Sequence, residues 1–166
     1  MLKENKAVLA KVAEEMAYNF EKTYHGCSQA VMRAVLHTLG MQEEGLFAAA
    51  FPLAGGLGLK QGTCGAVVGG IMCLGLASKK YGRPWNEFNK WSLDEVVNAL
   101  NAVGAFYDRC KEELSGIVEC REISGMEIRT QGDVIKYSET PNFETCCKNC
   151  GKIARLVVTT LLDDVK

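Results

Sequence analysis

An all-α fold, a compact bundle of about five to six helices around a buried glycine-rich central helix, is what the sequence predicts. Three observations carry that expectation. Apolar residues recur at helical spacing, most cleanly in Ile153, Leu156, Val157, Thr160 and Leu161. Helix punctuation stands where that spacing starts and stops: Gly40 follows one apolar set, and Ser92-Leu93-Asp94-Glu95 opens another as a capping box. No stretch shows the strict alternation of a half-buried strand.

In order, residues 3–22 read as an amphipathic helix with Leu9, Val12, Ala13, Met16 and Phe20 on one face. Tyr24-His25-Gly26 turns the chain, and a second helix begins at about Cys27 and ends at Gly40. Residues 43–53 form a short helix that stops near Pro52. Glycines 55, 56, 58 and 62 make a loop of sharp turns with positive φ. That loop lacks the Gly-Lys-Ser/Thr ending of a phosphate-binding loop. The central helix runs from about Cys64 to Tyr81. It accepts Gly65, Gly69, Gly70 and Gly75, each costing about 1 kcal/mol against alanine, which close helix–helix approach would offset. Residues 82–91 connect it to a helix from Ser92 to about Leu114, and one helical turn opens at Cys120. Residues 115–145 are irregular, and the last helix starts just after Cys146-Cys147-Lys148-Asn149-Cys150.

With 166 residues the chain is expected to be a single helical domain over 1–166. A net charge of −1 argues against a nucleic-acid binder. The charged start is not expected to act as a leader, and the apolar stretches 45–59 and 64–77 fall short of the roughly 20 residues of a membrane span. A cytoplasmic address is expected, and there eight cysteines would point to metal or redox chemistry more than to disulfides.

Cys27, Cys64, Cys120 and the Cys147/Cys150 pair each fall at or near an expected helix start. The partial positive charge and free N–H groups there favour a thiolate, lowering its pKa. Cys147-Lys148-Asn149-Cys150 is a CxxC, suited to a dithiol or a metal; no second CxxC or His pair completes a zinc ribbon or finger. Cys73 and Cys110 lie inside apolar helical patterns and read as core. His25, two residues before Cys27, reads as a turn residue or a tuning group, and His37 as structural.

The run Gly62-Thr63-Cys64-Gly65-Ala66-Val67-Val68-Gly69-Gly70, with Cys27-Ser28-Gln29-Ala30-Val31 upstream, resembles the redox-active family named for its C…GCAxxG…C…C pattern. The resemblance implies four site cysteines: Cys27, Cys64, Cys120 and Cys150, with Cys147 as rival for the last. Through a similar domain in split-Soret cytochromes it also implies an iron–sulfur cluster, [2Fe–2S] or [4Fe–4S], on those four, serving electron transfer to a redox partner protein. Two other readings stand beside it. One is a metal-free thiol–disulfide protein with Cys64 attacking and a second cysteine resolving. The other is a structural module that forms a homodimer through its small-residue helix.

Overall fold

The computed structural model describes residues 5–164, so the first residues of the expected opening helix lie outside it. Among the described residues there are eight right-handed α-helices and one left-handed turn: α1 (Lys6–Tyr24), α2 (Cys27–Thr38), α3 (Glu44–Ala50), the left-handed turn α4 (Ala54–Leu57), α5 (Gly65–Ala77), α6 (Leu93–Glu113), α7 (Cys120–Ser124), α8 (Gln131–Ser138) and α9 (Pro141–Asp164). Short 3₁₀ turns cover Phe51–Leu53 and Trp85–Glu87. No strand occurs among these residues, only one isolated bridge between Thr63 and Glu119. The excess over five to six helices comes from short elements. Two of them fall in the stretch 115–145 that reads as irregular. There α8 starts on a second capping box, Thr130 with Asp133.

The longest correction concerns α9. It begins at Pro141, about one and a half turns before the cysteine cluster, because Thr140 accepts from the Phe143 amide through its hydroxyl and proline suits the first helical position. Cys146, Cys147 and Cys150 therefore sit inside a helix, not at its start. At the other end of the central helix, α5 stops at Ala77 rather than Tyr81, since Ser78 is extended and the chain doubles back to set Gly82 against the backbone of Gly75.

The core is built on α1 packed along α9, with α2 against both and α5 against α2 and α9. The fully buried positions of α1 are Ala10, Ala13, Ala17 and Glu21; of the expected apolar face Ala13 is buried, Leu9 and Met16 pack half-buried against the core, and Val12 is exposed. Alanines let the two long axes come close, and at Gly151 of α9 a β-carbon would stand 2.8 Å from the Glu14 carbonyl oxygen. The glycines of α5 face into the same core. A β-carbon at Gly69 would lie 2.5 Å from the Ser28 carbonyl oxygen, and one at Gly70 would lie 2.9 Å from the Ile153 side chain.

Between α3 and α5 the chain coils left-handed. Gly55 (φ 62°, ψ 32°), Gly56 (φ 62°, ψ 52°) and Gly58 (φ 56°, ψ 45°) hold that shape with Leu57 at φ 68°, and the Gly58 amide donates to the Ala54 carbonyl at 2.9 Å. Glycine adopts this region freely; each non-glycine residue there costs about 1–2 kcal/mol. Leu57, Leu59 and Gln61 all do so.

Gln61 is what holds the coil. Its buried amide donates to Ser124 Oγ (2.9 Å) and the Met126 carbonyl (2.7 Å), and accepts from the Ile128 amide (3.1 Å) and Arg121 (3.2 Å). Gln61→Ala leaves the Ile128 amide and the Met126 carbonyl without these partners. A loss of about 1–3 kcal/mol in urea unfolding is expected; an unchanged midpoint would show that the clamp carries no stability.

Candidate functional site

The chain gathers its cysteines through three backbone devices. Residues 61–64 run antiparallel to 118–121: the Cys64 amide donates to the Val118 carbonyl (2.8 Å), the Cys120 amide to that of Gly62 (2.7 Å) and the Arg121 amide to that of Gln61 (3.0 Å). This sets Cys64, the N-cap of α5, beside Cys120, the first residue of α7. Cys27 opens α2 and faces α5 where glycine leaves it room: a β-carbon at Gly65 would lie 2.5 Å from Cys27 Sγ. Gly56 does the same for Cys120, whose Cβ would be 2.9 Å from a β-carbon there. Cys146 arrives from α9.

Cys27, Cys64, Cys120 and Cys146 line one cavity of about 380 Å³. Its other walls are apolar, among them Leu59, Ile123, Ile128, Val134 and Phe143, with the exposed Phe51 and Pro52 contributing as well. His25 also lines it, as the left-handed C-cap of α1, its ring 4.9 Å from that of Phe143. Among the described residues no lysine or arginine lines the cavity, and the one carboxylate there is Glu21.

Cys150, expected as the fourth site residue, sits behind Cys146 rather than on the cavity wall. Its Sγ lies with Cys146 Sγ and a Glu21 carboxylate oxygen in a group whose atoms are all within 4.8 Å of one another, and it is 4.0 Å from the Cys27 carbonyl. Cys147 packs instead with Ile128, Tyr137 and Phe143 in a small separate cluster. Cys73 and Cys110 lie in the main core away from the cavity.

The thiols do not follow the lowered pKa that helix starts suggest. Burial pushes Cys27 and Cys64 well above the ordinary thiol value, although the Gly55 amide eases Cys27 and the Ala66 and Val67 amides ease Cys64. Burial raises Cys120 to about 11. Cys150 is raised by its hydrogen bond with Cys146 and by burial. Removal from water outweighs the half-charge of a helix end, so without a bound cation these sulfurs stay protonated.

Glu21 is the residue that sequence reasoning missed. It is 95% buried, Oε1 is 3.7 Å from Cys146 Sγ, and Oε2 has no hydrogen-bond partner. The available clue was its place at the end of the stripe Ala10, Ala13, Ala17, Glu21, one helical face throughout. Burial raises its carboxyl from 4.5 to about 7, with the Cys146 thiol and the Gly26 amide only partly offsetting it.

That shift fixes a pH dependence. The folded chain keeps the Glu21 proton where the unfolded chain has lost it, so the Glu21 contribution to stability falls as pH rises from about 4.5 to about 7 and is level above. The Glu21 contribution is about 3 kcal/mol across that window. The exposed carboxylates lowered by their partners, Glu95 and Asp133, act below it. Urea midpoints of the metal-free protein from pH 5 to 8 are expected to decline, and in Glu21→Gln to stay flat; parallel profiles would contradict this.

The model of the family described as "Putative redox-active protein (C_GCAxxG_C_C)" matches residues 24–161. No curated protein and no solved structure matches the chain. No described helix is long and apolar enough to cross a membrane.

Proposed function

The chain belongs to the redox-active family of the C…GCAxxG…C…C pattern, and on that premise we propose that Cys27, Cys64, Cys120 and Cys146 hold an iron–sulfur cluster for electron transfer to a partner protein. One observation carries the reading: four thiols from four separate helices line a single cavity. Two features of that cavity suit the group. Glycine at 65 and at 56 keeps space free beside Cys27 and Cys120, and among the described residues no lysine or arginine on the cavity wall competes for the thiolates.

Bound there, the cluster would supply one-electron transfer. The protein's own groups have distinct tasks. The Gly55 amide and the Ala66 and Val67 amides donate toward Cys27 and Cys64, an arrangement that stabilises negative charge on those sulfurs. The apolar walls exclude water, which strengthens those contacts. Each thiol gives up its proton as it binds.

The metal-free dithiol reading has less support, because burial holds the Cys64 thiol protonated at neutral pH and a protonated thiol is a poor nucleophile. A homodimer through the glycines of α5 is also weakened, since Gly65, Gly69 and Gly70 pack against the chain's own α2, α9 and the Leu53–Ala54 backbone.

The test is anaerobic reconstitution with iron and sulfide, read by metal and sulfide assay and visible absorption. A coloured protein whose iron falls when any of the four cysteines is changed to serine is the expected result. A wild-type chain that stays colourless and iron-free removes the reading.

A further inference from the structure

Glu21 lies three residues before the span that the family model matches, and its buried carboxyl is only half satisfied: Oε1 meets Cys146 Sγ at 3.7 Å and Oε2 has no hydrogen-bond partner. A buried carboxyl with one oxygen lacking a partner is costly to keep, and such a group calls for an explanation. Close beside it are two thiols on successive turns of one helix face, Cys146 and Cys150.

We propose that in the cluster-free protein Glu21, Cys146 and Cys150 form a site for one divalent ion of the zinc type, with a fourth position open to the cavity. The separations suit such an ion. Tetrahedral coordination with metal–sulfur bonds of about 2.3 Å and metal–oxygen bonds of about 2.1 Å sets a sulfur and an oxygen about 3.6 Å apart. Cys146 Sγ and Glu21 Oε1 are 3.7 Å apart, and all three ligand atoms lie within 4.8 Å of one another.

The donor set selects the ion. Two sulfurs exclude magnesium and calcium, which take oxygen ligands, while the carboxylate favours a borderline cation over a purely thiophilic one. Three protein ligands with an open position form the pattern of reactive rather than structural zinc sites. Binding forms two metal–sulfur bonds and one metal–oxygen bond, and both thiol protons, with any on Glu21, leave to solvent.

The site rests on the cluster reading only through Cys146, which borders both. An ion bound there withholds Cys146 from a cluster, so the two occupants exclude each other. Cys27, Cys64 and Cys120 are not needed for the ion.

Cobalt(II) titration of the reduced, metal-free protein separates the two, read by thiolate-to-cobalt charge-transfer absorption, with zinc as the competitor. One equivalent should bind the wild-type chain and be displaced by zinc. Glu21→Gln and Cys150→Ser should each weaken binding by about tenfold to a hundredfold, at least what outer-shell partners contribute. Cys64→Ser and Cys120→Ser should bind cobalt as the wild type does.

Thermal unfolding of each metal-free variant checks its fold, and Cys150→Ala serves if the serine chain unfolds. Cobalt binding that survives Glu21→Gln, or that vanishes in Cys64→Ser, overturns the proposal. A wild-type chain that takes cobalt in this pattern but never a cluster overturns the cluster reading alone.

Discussion

Gly69→Ala is expected to destabilise the protein by about 1–3 kcal/mol, although alanine is the better helix former by about 1 kcal/mol. The added methyl would stand 2.5 Å from the Ser28 carbonyl oxygen and 3.0 Å from Ser28 Cα. Both are backbone atoms of α2, so no side chain can swing away, and α2 and α5 must separate. That movement would also draw Cys27, the neighbour of Ser28, away from the N-terminus of α5. Gly104→Ala is the matched control. Gly104 lies in α6, is exposed, and has nothing within 4 Å of where its β-carbon would be. The same substitution there should stabilise by about 0.5–1 kcal/mol. At this chain length 1 kcal/mol moves the melting temperature by about 2–4 °C, so calorimetry should show shifts of opposite sign. Shifts of the same sign at both positions would mean that the glycines of α5 have no packing role.

These two glycines also mark how far the sequence could be read. Four small residues in an apolar run signal close approach, and the expected close packing of α5 rests on that. Gly104 sits in an equally helical pattern, but its helix is peripheral, which no local feature reveals. The helix starts at Cys27, Cys64 and Cys120 were legible because turn and cap residues stand directly before them. The start of α9 was not, for the strong apolar period begins only at Ile153 while the earlier turns bury Phe143, Cys147 and Cys150 among polar neighbours. Thr140-Pro141 was the missed cue.

The site was legible in kind and less so in detail. Thiols from distant segments were expected to meet, and the backbone pairing of 61–64 with 118–121 does bring two of them together. That pairing is non-local and involves single residues, too short for any alternating pattern. Placing the last cysteine required the helix phase of α9. Cys146 faces the cavity, Cys150 lies one turn further on beside it, and Cys147 turns about 100° away toward Tyr137 and Phe143. With the helix start misplaced, that phase could not be assigned. Glu21 escaped because a glutamate among Lys22 and other polar residues reads as solvated, and only the close packing of α1 on α9 buries it.

Cys64→Ser and Cys73→Ser are expected to fail in opposite ways. At position 64 a hydroxyl keeps the donors it needs, since the Ala66 and Val67 amides already point at the sulfur it replaces. The metal-free variant should therefore unfold within about 1 kcal/mol of the wild type. What it loses is the soft thiolate, and after reconstitution its iron and sulfide should drop to background. Cys73 is the converse. It is buried in the core, does not line the cavity, and burial alone raises its thiol to about 12, with no hydrogen bond contributing. A serine there buries a hydroxyl in apolar surroundings, at a cost of about 1–3 kcal/mol from protein mutational data. Its iron content per folded chain should match the wild type. Urea unfolding and metal assay on the two variants separate the roles of two cysteines only nine residues apart on or beside one helix. If Cys64→Ser keeps its iron, or Cys73→Ser loses it, the ligands are not the thiols that line the cavity. A free-thiol titration beside the metal assay distinguishes a cluster from a dithiol. In a dithiol protein, loss of the attacking Cys64 would abolish the reversible loss of free thiols on oxidation, whereas loss of a ligand removes iron and sulfide together.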